Sequence, residues 1–116
     1  SVLIETLAQA RQWAGSRIGI FLDLNSGMNR TGMDPEHIAA VVKLARELPG
    51  LALELRGLHF YDGHVRAPSM EERCRTAHDG YNRLLGLIAA LDAAGVAVPE
   101  VITSGTPAFP CGASYW

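Results

Sequence analysis

The sequence predicts an α/β fold in which helices alternate with parallel strands, and three observations support this prediction. Segments with apolar residues at helical spacing alternate with short, nearly continuous apolar runs. Such runs are typical of strands that are covered on both faces, as in a parallel sheet. Each run leads into a small, polar or glycine-containing segment. Alternation of this kind implies right-handed crossovers between neighbouring parallel strands.

The first half of the chain predicts a helix, a strand and a second helix. Residues 2–14 have helical spacing, and Gly15 is a typical residue just beyond a helix end. Residues 17–24 form the apolar run that predicts the first strand. Asp34 is predicted to cap the second helix, with Pro35 in its first turn, and a Pro-Gly pair ends that helix.

The second half predicts two more strands with a long helix between them. The strands are expected at residues 53–61 and 100–103. Ser69 and Glu72 form a capping-box pattern that begins the helix, and Gly95 follows its end. The predicted inner face of this helix consists of Tyr81, Leu84, Leu85, Ile88 and Leu91.

This element order fits either a small doubly wound sheet or a slice of a TIM-type (β/α)8 barrel. A complete barrel needs about 250 residues, so 116 residues would supply only about three βα units of one. In both architectures ligands bind at the carboxyl ends of the strands. These ends are residues 25–30, 61–64 and 104–106, and their small polar composition predicts a site there.

The loop after the first predicted strand contains Arg30, whose planar guanidinium can donate to a phenolate, carboxylate or phosphate. Asp23 could orient that group. The alternative is a polar turn in which Arg30 is solvated or forms a salt bridge.

The segment 57–64 places His59 and Tyr61 on one face of the second predicted strand. Tyr61 could contact a planar ligand or could be an ordinary core aromatic residue. His59, Asp62 and His64 could suggest a metal site. A strand does not make ligands at this spacing converge, so we expect no metal site. For His59 we expect a structural role or a role in supporting residues that contact the ligand.

The loop after the last predicted strand contains Ser104, Gly105 and Thr106, whose hydroxyls and backbone N–H groups could surround a phosphate. The segment lacks the Gly-Lys-Ser/Thr sequence of a Walker loop. The alternative is a simple turn.

Composition and charge exclude several classes of function. The net charge is −2 and no basic run is present, so we expect no nucleic-acid partner. Charged residues interrupt every apolar run, so we expect no membrane span. Cys74 and Cys111 are far apart in sequence, and we expect them to be reduced thiols in a cytoplasmic protein. Lys43 is the single lysine and is expected on a helix surface, so no Schiff-base lysine is predicted.

Three segments together resemble the fold-type III pyridoxal-phosphate enzymes. Asp-Leu-Asn-Ser-Gly-Met-Asn-Arg-Thr-Gly (23–32) is similar to their D-x-G-x-x-R-x-G strand. Gly-Leu-His-Phe-Tyr-Asp-Gly-His (57–64) resembles the G-L-x-x-Y-x-G-H strand of D-threonine aldolases and D-serine dehydratases. Thr-Ser-Gly-Thr-Pro-Ala-Phe-Pro (103–110) resembles their S-G-G-T-P-T-F phosphate loop, and alanine racemase is a wider relative.

The resemblance implies a role for individual residues. Arg30 would approach the phenolic-oxygen side of pyridoxal phosphate, and Tyr61 would lie near its ring. Ser104, Gly105 and Thr106 would hold the phosphate. Three further residues could contact the substrate or support those that do, and Asn25 could line the pocket. The three are His59, Asp62 and His64.

The resemblance also implies that residues 1–116 are an internal fragment of the cofactor-binding barrel. The family's Schiff-base lysine lies on an earlier strand, and its divalent-metal ligands and acid/base partner lie in a later β-domain. The parent would be a pyridoxal-phosphate-dependent lyase acting on a D-amino acid, and this chain alone would be inactive. Alternatives are an amino-acid racemase-type barrel or a non-catalytic phosphate-binding module. Open sheet edges predict self-association.

Overall fold

The computed structural model describes residues 1–116 and contains four parallel strands that alternate with helices. A single 3₁₀ turn, Pro49–Leu51, precedes the third strand. The strands and helices in chain order are β1 (Val2–Ile4), α1 (Leu7–Gln12), β2 (Gly19–Asp23), α2 (Ile38–Glu47), β3 (Glu54–Phe60), α3 (Met70–Ala93), β4 (Glu100–Thr103) and α4 (Phe109–Tyr115).

The four strands form one sheet in the order β1-β2-β3-β4, and every neighbouring pair is parallel. Because the order follows the chain without reversal, it has the arrangement of a barrel slice and lacks the switch point of a doubly wound sheet. The predicted α/β fold with parallel strands is therefore confirmed. β1 and β4 are the two sheet edges, and pairing of these edges with a second copy stays a prediction.

One face of the sheet carries the core. Ile4, Leu22 and Leu58 are neighbours in the strand register and are at most 2% exposed. Sequential strands joined by right-handed crossovers carry all their helices on this one face. The opposite face is open: Leu3 is 49% exposed and Ile102 is 45% exposed. The polar side chains described below lie at the carboxyl end of this sheet.

The amino-terminal segment differs from the prediction of a helix over residues 2–14. Val2–Ile4 pairs with β2 as a strand, and the helix begins only after Thr6. The Thr6 hydroxyl accepts from the Gln9 N–H, and the Gln9 side chain accepts from the Thr6 N–H, so the two residues form a capping box. The helical spacing of apolar residues across 2–14 hid the start of the helix at Thr6. The chain has four strands, one more than predicted.

The second helix begins later than predicted. Asp34 does not cap it. Instead, its carboxylate accepts from the Glu36 N–H in a local turn, and the helix begins at Ile38. The short helix Phe109–Tyr115 was not predicted, although Pro110 lies in its first turn, where proline is well tolerated.

Helix α3 is the longest helix and begins as predicted at Ser69, whose hydroxyl accepts from the Glu72 N–H. Its buried face differs from the prediction at one position. Leu85 is 44% exposed, and Leu87 takes the buried position instead. None of the helices combines the length and the apolar composition needed to cross a bilayer.

Cys74 of α3 and Cys111 of α4 form a disulfide, so the prediction of two reduced thiols is wrong. Their Cα atoms are 4.8 Å apart, which lies within the range that a disulfide spans. The pairing depends on α4 packing against α3, which the 37-residue separation in sequence did not reveal.

Candidate functional site

The loops that follow β2, β3 and β4 meet at the carboxyl edge of the sheet. The Ser26 hydroxyl, in the loop after β2, donates to the Tyr61 carbonyl, in the loop after β3. The Gly105 N–H, in the loop after β4, donates to the Asp62 carboxylate at 2.7 Å. These two bonds connect all three strand ends, so the segments that sequence placed at one edge do lie together.

Tyr61 lies at the centre of this arrangement, and the residue is 38% exposed. The Arg30 guanidinium carbon is 5.9 Å from the centre of the Tyr61 ring. On another side, a methyl group placed on Gly105 would come within 3.3 Å of Tyr61 Cε2. The ring is therefore flanked by a cation from one loop and by glycine backbone from another.

Asp23 and His59 form a pair beside this ring. They are opposite each other in the register of β2 and β3, and His59 Nδ1 is 2.8 Å from Asp23 Oδ1. Both line a small pocket together with Arg30 and Tyr61. The pocket encloses about 20 Å³, room for about one water molecule, so a larger ligand would extend beyond it.

Asp62 is the most buried charged residue of the site, with 1% of its surface exposed. Its Oδ1 atom accepts from the Gly105 N–H, and its Oδ2 atom accepts from the Tyr81 hydroxyl at 2.8 Å. The Tyr81 hydroxyl also lies 2.9 Å from Ser104 Oγ. A buried network therefore connects the end of β3, the middle of α3 and the loop after β4.

Burial raises the pKa of Tyr81 to about 12, and the neighbouring Asp62 carboxylate acts in the same direction, while the Ser104 hydrogen bond opposes them. An unfolded tyrosine has a pKa of about 10. The protonated phenol thus stabilises the fold fully below pH 10, and this contribution is lost as the pH rises from 10 to 12.

We therefore expect the free energy of unfolding to fall by about 1.4 kcal/mol between pH 9 and pH 11 through Tyr81 alone. Urea titrations at both pH values measure it. Tyr81→Phe, which has no proton to lose, should show a smaller fall by that amount. An equal fall in both proteins would contradict the assignment.

The other residues predicted for the site lie in different environments. Thr106 is exposed, and its N–H and hydroxyl make no hydrogen bond within the chain. Asn25 builds its own loop, because its amide oxygen accepts from the Gly27 and Asn29 N–H groups. His64 is exposed and lies beside Gly27. The binding roles predicted for these residues stay predictions.

The three residues weighed as metal ligands do not converge. His59 pairs with Asp23, Asp62 points into the protein, and His64 is exposed. No three His, Cys, Asp or Glu side chains come close enough together to hold a metal ion. Lys43 is exposed on α2, as its place in the sequence pattern predicted.

Sequence reasoning missed two residues of the site. Ser26, which is 7% exposed, links two strand ends through its hydroxyl. Tyr81 was assigned to the apolar face of α3, but its hydroxyl reaches Asp62 and Ser104. A buried tyrosine usually finds a polar partner, and that rule was the available signal for Tyr81.

Comparison with known proteins gives concordant results. A protein named 3-hydroxy-D-aspartate aldolase, from Paracoccus denitrificans (strain Pd 1222), is 29% identical over 104 residues, or 88% of this chain and 26% of that protein. The crystal structure of D-threonine aldolase from Filomicrobium marinum has a TM-score of 0.89 at 25% identity and covers 99% of this chain and 33% of that chain. The D-threo-3-hydroxyaspartate dehydratase from Delftia sp. HT23 shares the fold, with a TM-score of 0.80 at 18% identity over 91% of this chain and 30% of that chain.

The chain thus spans about a quarter to a third of the length of these relatives. The family described as alanine racemase, N-terminal domain, matches residues 2–115. That match covers almost every residue, and it agrees with the resemblance to fold-type III pyridoxal-phosphate enzymes. The chain therefore belongs to the alanine racemase N-terminal domain family.

Proposed function

We propose that this chain forms part of the pyridoxal-phosphate-binding barrel of a lyase that acts on D-3-hydroxyamino acids. The observation that carries the proposal is the position of Tyr61 between the Arg30 guanidinium and the loop at Gly105. The names of an aldolase at 29% identity and of another at 25% support the substrate class.

The residues present fit such a cofactor. Its phosphate is a dianion, and Thr106 offers an amide and a hydroxyl without partners in the chain. Its ring is flat, and Tyr61 presents an exposed aromatic ring beside Arg30. Gly105 packs against the backbone of Gly63, and the Tyr61 ring packs against Gly63, so an added side chain at either glycine would collide with its neighbours. When bound, the cofactor supplies an electron sink for bonds broken at the substrate α-carbon.

The protein's own residues would orient the bound ligand and hold protons. Asp23 fixes the His59 imidazole through Nδ1, and Nε2 makes no hydrogen bond within the chain, so it is available to a bound ligand. Arg30 would fix the orientation of the ring through its planar donors. Asn25 keeps the Arg30 loop in shape through its bonds to Gly27 and Asn29.

The proposal favours aldol cleavage or dehydration of a hydroxylated substrate, including D-serine, over racemisation. It also places the protein in the cytoplasm and assigns any divalent metal to parts of a longer protein. Lys43, the only lysine in the sequence, is exposed on α2, so we expect this chain alone to be inactive. A non-catalytic phosphate-binding module is the second candidate, and the position of Lys43 favours it.

Binding of pyridoxamine 5′-phosphate to the purified chain tests the proposal, because this amine forms no Schiff base with Lys43. We expect calorimetry to give an affinity at least about tenfold higher than for pyridoxamine, since a charge-assisted hydrogen bond contributes about 1.5–3 kcal/mol. Arg30→Met should weaken the binding of both compounds by about tenfold.

Arg46→Met is the matched control, because Arg46 is exposed on α2 away from the strand ends, and it should leave both affinities unchanged. Equal affinities for the two compounds in the unmodified chain, or no effect of Arg30→Met, would contradict the proposal. Cleavage of D-threonine by the chain alone would contradict the expected inactivity and exclude the non-catalytic module.

A further inference from the structure

The hydrogen-bond donors of the loop after β4 fall into two groups. The Ser104 hydroxyl and the Gly105 N–H both have partners inside the protein, in Tyr81 and Asp62. Thr106 is exposed, and neither its N–H nor its hydroxyl has a partner. A ligand phosphate would find free donors at Thr106 and at the Ser104 N–H, while the Ser104 hydroxyl and the Gly105 N–H already have partners in the fold.

We propose that Asp62 is a positioning residue, which fixes this loop so that Thr106 presents its amide and hydroxyl to the phosphate of a bound pyridoxal compound. The inference rests on the proposed function and deepens it. The Ser104 hydroxyl and the Gly105 N–H would maintain the loop structure, and Thr106 would bind the ligand.

The Asp62 side chain links the loop after β4 to helix α3. It uses both carboxylate oxygens, one for the loop backbone at 2.7 Å and one for the Tyr81 hydroxyl at 2.8 Å. Hydrogen bonds to a buried carboxylate are short and strong. Because Tyr81 in turn contacts Ser104, the single carboxylate holds two consecutive residues of the loop.

The backbone of the loop needs such support. Ser104 has a φ of 75°, in the left-handed region that side chains rarely adopt. The family motif that this segment resembles has glycine at that position. Holding a serine there costs about 1 kcal/mol or more, which the bonds to Asp62 and Tyr81 offset.

Because Asp62 is charged, an electrostatic role and a positioning role predict opposite changes in phosphate affinity when the charge is removed. A carboxylate beneath a phosphate site repels the dianion. If electrostatics were its main effect, neutralising it would strengthen phosphate binding. If positioning is its main effect, neutralising it weakens phosphate binding, because an uncharged amide oxygen is a weaker acceptor for the Gly105 N–H and an amide nitrogen cannot accept from the Tyr81 hydroxyl.

The experiment compares pyridoxamine 5′-phosphate with pyridoxamine on the purified chain and on Asp62→Asn. We expect the preference for the phosphorylated compound to fall by about tenfold in Asp62→Asn, with the affinity for pyridoxamine nearly unchanged. A loss of general stability would weaken both compounds alike. Asp92→Asn, an exposed aspartate at the end of α3, is the matched control and should retain the preference.

An unchanged or increased preference in Asp62→Asn overturns the inference and leaves the proposed function intact. The absence of a preference in the unmodified chain overturns both. Should Asp62→Asn fail to fold, Tyr81→Phe decides, because it keeps the ring and removes only the hydroxyl that connects Asp62 to Ser104. A retained preference there overturns the inference, and a severalfold reduction supports it.

Discussion

Reduction of the Cys74–Cys111 disulfide is expected to lower the free energy of unfolding by about 4 kcal/mol. The bond closes a loop of 37 residues that runs from the second turn of α3 through β4 to α4. The chain-entropy relation assigns about 4 kcal/mol to a loop of that length. Such a value is a large fraction of the stability of a domain of this size.

Urea unfolding with and without dithiothreitol measures the effect, and the double variant Cys74→Ala/Cys111→Ala is the control. The reductant should shift the midpoint of the unmodified chain and leave that of the double variant in place. Equal midpoints with and without reductant in the unmodified chain would contradict the pairing. A disulfide is also unusual in the cytoplasm, so the same comparison on protein from cells bears on the proposed location.

Gly105→Ala should have the second largest effect, a loss of about 3 kcal/mol in the free energy of unfolding. A methyl group at Gly105 would overlap the backbone of Gly63, and backbone cannot move aside as a side chain can. The loop must shift away from β3, which also breaks the bond between the Gly105 N–H and Asp62. Binding of pyridoxamine 5′-phosphate should be lost in the same variant.

Gly86→Ala is the control for this substitution. Gly86 lies in α3, and a methyl group there would meet no atom within 4 Å. Alanine is the better helix former by about 1 kcal/mol, so this variant should be slightly more stable than the unmodified chain. Thermal unfolding of the two variants side by side distinguishes a local collision from a general intolerance of alanine. Similar unfolding temperatures for both would contradict the close packing of Gly105 on Gly63.

The sequence predicted the features of this fold that depend on local signals. Apolar runs located β2, β3 and β4, and Ser69 located the start of α3. β1 was missed because three residues of strand beside an amphipathic helix extend the helical pattern across the boundary. The disulfide was missed because it depends on the packing of two helices that the sequence does not align.

The candidate site was predictable only in outline. The rule that ligands bind at strand ends placed Arg30 and Tyr61 together, and they lie together. The hydrogen bond from the Gly105 N–H to Asp62 was not predictable, because Asp62 is 43 residues earlier in the chain. The contact forms because β3 and β4 are neighbours in the sheet, so the loops that follow them meet at its carboxyl edge.

The central claim is that the ends of β2, β3 and β4 form one site for a flat phosphorylated ligand. A titration of the ¹⁵N-labelled chain with pyridoxamine 5′-phosphate, followed by amide chemical shifts, tests it most directly. We expect saturable shifts at Arg30, Tyr61 and Thr106, with the largest at Thr106 when the phosphate is present and little change there with pyridoxamine. Shifts confined to other parts of the surface, or none at these three residues, would contradict the claim.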